Sequence, residues 1–219
     1  MQDYQVKYET ISINAVDYRI HSLLDRQQYF DPDGVAERAG IPPAMWPIFG
    51  LVWPAGLFLA ETMATFPVTG QRILEIGCGI GLASLVLLRG GADITSTDLH
   101  PLSDAFLTEN RRLNDLPSLL YQSGDWGDTL PALGLFDLLV GSDLLYEPGH
   151  PELLASFIDR HATATAEVIV IDPGRGHHSR FTRVMAGHGF RTQTDWSDQL
   201  AIRDTLKKGR VPNYQRCAA

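Results

Sequence analysis

From Arg72 onward, apolar runs and amphipathic segments alternate in a steady rhythm, and nothing else in the chain narrows its possible folds as much. The strand-like runs are RILEI (72–76), DITSTD (93–98), SLLYQ (118–122), FDLLVGS (136–142) and EVIVID (167–172). Helical periods fill the intervals: Ile80 to Arg89, Pro101 to Asn114, Glu152 to His161 and His178 to Ala186. Parallel strands need long crossovers of one hand, so the rhythm predicts a mostly parallel sheet with helices on both faces. Two further strands, GFRTQTDW (189–196) and QLAIRDTL (199–206), are expected to follow, joined by a short turn and paired antiparallel at one edge. Such sheets bind ligands beyond the carboxyl ends of their strands, near the point where strand order reverses.

Residues 4–24 precede this unit and read as a β-hairpin. Tyr4, Val6 and Tyr8 alternate, Ile11 and Ile13 take up a second phase, and Val16, Tyr18 and Ile20 follow a turn at Asn14. DPDG (31–34) is turn chemistry, IPP (41–43) stops any helix begun near Val35, and Pro54 suits the first turn of a helix through Leu57, Ala60 and Met63. The expected organisation is a hairpin and cover segment over 1–45, then one α/β unit over 46–219.

At 219 residues and 44% hydrophobic content, the chain has ample length for one buried core. A formal charge of −8 lacks the basic field that drives attachment to nucleic acid or anionic membranes, and suits a cationic partner better. Two cysteines, Cys78 and Cys217, form neither a disulfide framework nor a zinc motif, which points to a reducing compartment. The start, MQDYQVKYET, has no apolar core behind a basic end, and no run of about 18 apolar residues follows. A soluble, cytoplasmic, monomeric protein is the expectation.

The turn after RILEI carries Gly77, Gly79 and Gly81 at alternate positions. A strand, a tight turn and a helix start aim backbone N–H groups at an electron-rich ligand. The dinucleotide fingerprint wants its third glycine one residue later, where Leu82 stands, so the spacing disfavours NAD. Glu75, ahead of the turn, would repel a pyrophosphate and attract a cation. S-adenosylmethionine, with its sulfonium and ammonium, fits that charge pattern. Asp98 ends the next strand, with Leu99 beside it, and a carboxylate there either accepts both ribose hydroxyls or caps the helix from Pro101.

With these features in order on consecutive strands, the chain resembles the class I methyltransferases that use S-adenosylmethionine and release S-adenosylhomocysteine. Within them it is most similar to the protein-lysine methyltransferases of family 16, on the stretches VWPAG (52–56), SDLLY (142–146) and DPGR (172–175). FGLVWPAGLFLAE together with IDPGR is closest to the branch that methylates the electron-transfer flavoprotein β subunit. The resemblance implies a Rossmann-like seven-stranded sheet, mostly parallel with one antiparallel edge strand, carrying the hairpin as an extension.

The same resemblance implies roles for particular residues. Trp53 borders the ligand's methionine end, where an aromatic face suits a sulfonium; the alternative is a core residue under the hairpin. Asp125 and Trp126 hold the adenine, or serve as turn chemistry and core filler. Gly77, Cys78, Gly79, Gly81 and Ser142 complete the cofactor set; Ser142 stands where relatives often carry Ala. Asp143 and Tyr146 are the catalytic pair. A free lysine, with a pKa of about 10.4, is mostly protonated, and a carboxylate favours that form. Asp143 is therefore expected to bind and orient the amine rather than act as a strong base. Arg175 either pairs with Asp172 to brace its loop or meets an acidic substrate residue.

Three features are set aside. His177 and His178 are adjacent and lack partners at ligand spacing, so no metal is expected. Cys78 is small enough for its turn without any redox role. Lys207, Lys208 and Arg210 form a solvated end or touch an acidic substrate. A protein lysine is the leading acceptor, since the loops between the glycine turn and Asp172 are short and only 26–47 can form a cover. Methylation of a small molecule and a non-catalytic cofactor-binding module are the alternatives.

Overall fold

A computed structural model describes residues 4–130, 132–195 and 209–216. It opens with β1 (Val6–Ile13) and β2 (Val16–Leu23), antiparallel with Ile13 opposite Val16. The turn residues Asn14 and Ala15 have φ of 48° and 61°, the left-handed pair that a two-residue hairpin turn needs. A single helical turn, α1 (Val35–Arg38), and a 3₁₀ segment, Trp46–Gly50, lead to α2 (Pro54–Met63), which Pro54 opens at its first position.

The alternating unit then runs β3 (Arg72–Ile76), α3 (Leu82–Arg89), β4 (Asp93–Asp98), α4 (Ser103–Leu113), β5 (Leu120–Ser123), β6 (Phe136–Ser142), α5 (His150–His161), β7 (Ala162–Ile171), α6 (His178–Gly187), β8 (Phe190–Asp195) and β9 (Pro212–Arg216). The seven strands stand in the order β5-β4-β3-β6-β7-β9-β8. Only β9 runs antiparallel to its neighbours, so the expected mostly parallel sheet with an antiparallel edge is what forms. Within that edge β9 lies between β7 and β8. The partner expected for 189–196, QLAIRDTL, falls outside the described residues.

The chain lays down β3, β4 and β5 to one side and then crosses back to β6 and β7 on the other. The order therefore reverses between β3 and β6, whose last paired residues are Ile76 and Gly141. Two apolar layers flank the sheet. One joins α2, α3 and α4 to the hairpin through Tyr18, Ile20, Leu23, Trp46 and Phe106; the other packs α5 and α6 through Phe157, Ile158, Phe181 and Met185. Among the described residues no helix is long and apolar enough to cross a membrane.

The hairpin is fixed to the unit by side chains that imitate a strand. Asn114 accepts from the Arg19 N–H at 2.9 Å and donates to its carbonyl at 2.8 Å. Asn110, fully buried, accepts from the His21 N–H at 2.6 Å and donates to its carbonyl at 3.1 Å. These bonds satisfy the outer edge of β2, which burial against α4 would otherwise leave unpaired.

Candidate functional site

A cavity of about 720 Å³ opens over the carboxyl ends of β3, β4 and β6, at the reversal of strand order. It brings together Trp53, Glu75, Gly77, Cys78, Gly79, Asp98, Leu99, Asp125, Trp126, Ser142, Asp143 and Tyr146. Gly81 is the expected site residue that does not line it. Its φ of 78° opens α3 from a left-handed cap that favours glycine, and a β-carbon there would also displace the Leu107 side chain of α4, 2.1 Å away. Gly79 faces a stricter limit: at φ 54° a β-carbon would meet the backbone oxygen of Phe49 at 2.6 Å.

The floor is acidic and rigid. Glu75 is buried at 4% exposure. Its Oε2 accepts the backbone N–H of Ser84 at 2.8 Å and the Ser84 hydroxyl, which caps the first turn of α3. The same hydroxyl lies 2.6 Å from that of Ser96. Burial pushes Glu75 up to about 7; the Ser84 bonds oppose the rise and nearby Asp98 adds to it. Asp98 accepts the N–H of Gly79 and that of His100, each at 2.8 Å and one on each oxygen. Burial holds its carboxyl above the usual range against those bonds. Each oxygen keeps a lone pair for a further donor. The Asp98 bond to Gly79 ties the end of β4 to the glycine turn.

His100 extends this floor, although sequence reasoning gave it no role. Burial holds its imidazole down to about 3, so the ring is neutral. It stacks on Phe49 with centroids 3.7 Å apart, and its Nδ1 accepts the Leu102 N–H at 3.2 Å. Nε2 therefore carries the proton, and it has no hydrogen-bond partner among the described residues. Cys78 is buried beside both carboxylates; burial, Asp98 and Glu75 push its thiol well up, away from the thiolate a reactive cysteine needs.

Opposite this floor the rim is held by charge. Arg175 donates from Nε to Asp143 Oδ1 at 2.8 Å and from Nη2 to Oδ2 at 2.7 Å, a two-pronged bond. The two side chains are 43% and 12% exposed. Asp143 sits at φ 54° and donates its N–H to the Ile171 carbonyl at 2.8 Å, which fixes its place at the end of β6. This corrects the expected Arg175–Asp172 brace. The Asp172 carboxylate instead accepts the backbone N–H groups of Gly174 and Arg175, at 3.0 and 3.1 Å, which leaves the guanidinium to reach across the rim. Arg210 pins the base of that loop by exchanging backbone bonds with Asp172. Tyr146 packs edge-on against His150, centroids 4.4 Å apart. Burial, with Asp98, Glu147 and Asp143, pushes its phenol up to about 12, so it stays protonated.

Trp126 and Asp125 serve the local structure and also line the cavity. Asp125 closes a turn by accepting the Gly127 N–H at 2.6 Å, and Trp126 packs against the α5 and α6 layer, yet both face the cavity. Trp53 lies outside the buried core, donates its indole N–H to the Ile48 carbonyl at 2.8 Å, and carries the Arg26 guanidinium 4.6 Å from its ring centroid. His178 shares a hydrogen bond with Thr182, and among the described residues no group of three or more His, Cys, Asp or Glu side chains gathers to hold a metal. Lys207 and Lys208 lie outside the described residues. Arg26, Ser84 and His100 were missed because no motif marks them; Arg26 and His100 meet Trp53 and Phe49 from distant parts of the chain, and Ser84 meets Glu75 across the glycine turn.

A family model described as lysine methyltransferase matches residues 47–186, well over half of the chain. The chain is 29% identical over 148 residues to the electron transfer flavoprotein beta subunit lysine methyltransferase of Xenopus laevis, covering 63% of this chain and 58% of that protein. It is 30% identical over 131 residues to protein N-lysine methyltransferase METTL21A of Xenopus tropicalis, covering 57% of this chain and 60% of that one. It thus spans under two thirds of the length of these relatives. Among solved structures, the T. Thermophilus 16S rRNA N2 G1207 methyltransferase (RsmC), in complex with AdoMet and guanosine, superposes on 97% of this chain and 51% of its own. With a TM-score of 0.66 and 17% identity, that likeness speaks to the fold.

Proposed function

The chain belongs to the lysine methyltransferase family, and from that premise we propose that it transfers a methyl group from S-adenosylmethionine to a lysine side chain of a protein. The observation that carries this reading is the pairing of an acid-lined floor with a charge-neutral acceptor group, Asp143 held by Arg175, on one cavity.

The residues fit the cofactor. About 720 Å³ suits a nucleoside-sized molecule, and glycines stand where side chains would close the turn. Asp98, with one bond on each oxygen, has capacity for ribose hydroxyls. Glu75, raised to about 7 by burial, gains its charged form when a cation approaches. Leu99, Asp125 and Trp126 hold the adenine, and Trp53 the methionine end. When bound, S-adenosylmethionine supplies an electrophilic methyl carbon on a sulfonium.

The chain's own residues must then hold a neutral amine. A lone carboxylate would stabilise the ammonium and slow attack. Arg175 changes that balance: it cancels the charge of Asp143 while one lone pair on each oxygen stays free. Asp143 so accepts an N–H from the amine without drawing a proton onto it. Tyr146, protonated up to about 12, offers an orienting hydroxyl and is not the base. The amine's proton leaves to water at the open rim. Asp143 and Tyr146 would hold the neutral amine toward the methyl group that the cofactor would supply, and positioning would supply most of the rate.

The two cysteines and the absence of a basic field support a cytoplasmic location and a protein acceptor. Incubating the purified chain with methyl-labelled S-adenosylmethionine and a cell lysate tests the reading. A labelled protein band, with the label on lysine, is the expected product. Label in a small molecule would overturn the protein acceptor, and cofactor binding without any product would overturn catalysis.

A further inference from the structure

A second, smaller cavity of about 230 Å³ adjoins the first, and the two share Ile48, Leu51, Trp53 and Arg175. Its two charged lining residues are Arg26 and Arg175. Arg26 comes from the segment between β2 and α1, the part of the chain that carries no motif. Its guanidinium rests on the Trp53 ring, and among the described residues no carboxylate lies within ion-pair reach of it. In a chain of net charge −8, Arg26 brings a positive charge to this cavity beyond that of Arg175, which Asp143 already balances. A planar guanidinium held on an aromatic ring presents a fork of donors matched to a carboxylate.

We infer that Arg26, facing the same small cavity as Arg175, is a specificity-determining residue that takes the carboxylate of an Asp or Glu close in sequence to the target lysine. The inference rests on the lysine-acceptor reading above. Arg175 belongs to both cavities and holds Asp143, so the ammonium and the carboxylate of one substrate segment arrive at neighbouring points. The excess negative charge of the enzyme repels acidic proteins at a distance, and Arg26 restores attraction close to where the lysine enters, since the charge of Arg175 is taken up by Asp143. Trp53 fixes the Arg26 side chain in advance, which lowers the entropy lost on binding.

The probe is a set of short peptides, each with one central lysine and with Asp, Ala or Lys at the flanking positions, assayed with labelled S-adenosylmethionine. The wild-type chain is expected to methylate Asp-flanked peptides with kcat/KM about tenfold above Ala-flanked ones, through KM rather than kcat. Arg26→Gln removes that preference, Arg26→Lys restores part of it, and Arg26→Glu favours the Lys-flanked set. S-adenosylmethionine affinity, read by calorimetry, stays within about twofold in Arg26→Gln. A preference that survives Arg26→Gln, or methylation indifferent to the flanking residues, overturns the inference and leaves the lysine reading standing. A large loss of cofactor affinity in Arg26→Gln also overturns it, by assigning Arg26 to the carboxylate of the cofactor. Cofactor binding with no peptide methylated sinks the lysine reading, and this inference with it.

Discussion

Glu75 and Asp143 are both carboxylates near the ends of strands over one cavity, and they are held in opposite ways. Glu75 is buried, bonded to Ser84 nine residues on, and enclosed by a turn whose glycines leave no room for a β-carbon. Asp143 sits at an open rim, fixed by a guanidinium 32 residues along the chain whose own side chain is 43% exposed. The floor is determined by sterics and local backbone, the rim by charge carried between loops. On the proposed function, a site for one cofactor and for many poses of a mobile lysine has use for both: a floor that does not yield, and a rim that can.

The most disruptive way to break this comparison is at the floor. Gly79→Ala places a side chain at φ 54° and 2.6 Å from the Phe49 carbonyl oxygen, and that backbone has no flexible end to move. The expected cost is about 3 kcal/mol of stability, with S-adenosylmethionine affinity down by about 100-fold, read by chemical denaturation and calorimetry. Retention of both values would mean that the floor is as yielding as the rim. At the rim, Asp143→Asn is expected to lower kcat/KM by about 100-fold while cofactor affinity stays within about twofold. Unchanged turnover would remove Asp143 from the mechanism.

The same contrast governs what was legible in the sequence. RILEI, DITSTD and FDLLVGS are strands with the expected bounds, because alternation and apolar runs are local signals. The floor residues follow from them, since Gly77, Gly79, Glu75 and Asp98 stand at fixed offsets from strand ends. α3 starts at Leu82 rather than Ile80 because Gly81 takes the left-handed cap. β7 begins at Ala162 rather than Glu167, since Ala162 pairs with Phe136 ahead of a register shift, where the alternation of Ala and Thr gives no apolar run. β9, PNYQR, has a proline start and one fully buried tyrosine, a pattern too short to stand out. The rim was misread for a related reason. DPGR suggests a bond within the motif, whereas Asp172 spends its carboxylate on the loop backbone and Arg175 crosses to Asp143. Nothing local marks a partner 32 residues distant, nor places Arg26 on Trp53.

Arg175→Gln sharpens the comparison without emptying the rim. With the guanidinium gone, Asp143 keeps its negative charge and favours the ammonium form of the bound lysine. The amine then needs higher pH to lose its proton, so the rising limb of kcat against pH moves up by about one unit, close to tenfold at neutral pH. Turnover recovers toward the wild-type value above that limb. A uniform loss at every pH would instead assign Arg175 to positioning alone. A purely structural defect also predicts no change of shape, so a shifted limb is specific to the electrostatic role of Arg175.

The floor gives the smallest effect, and the sign follows from the state of Glu75. In the free protein, burial holds its carboxyl at about 7, so near neutrality a fraction of the molecules carry a proton there. A cationic ligand favours the ionised form, and binding must then release that proton. Affinity for S-adenosylmethionine is therefore expected to rise several-fold as pH climbs through about 7 and to level off above it. Calorimetry in two buffers of different ionisation heat would register the proton directly. Glu75→Gln should flatten the dependence while keeping the cap on Ser84, because an amide oxygen can still accept that N–H. If the wild-type affinity does not change across this range, the floor carboxylate is ionised before the ligand arrives. Its negative charge would then be a fixed part of the fold, and the acidic lining would owe nothing to a cation for its stability.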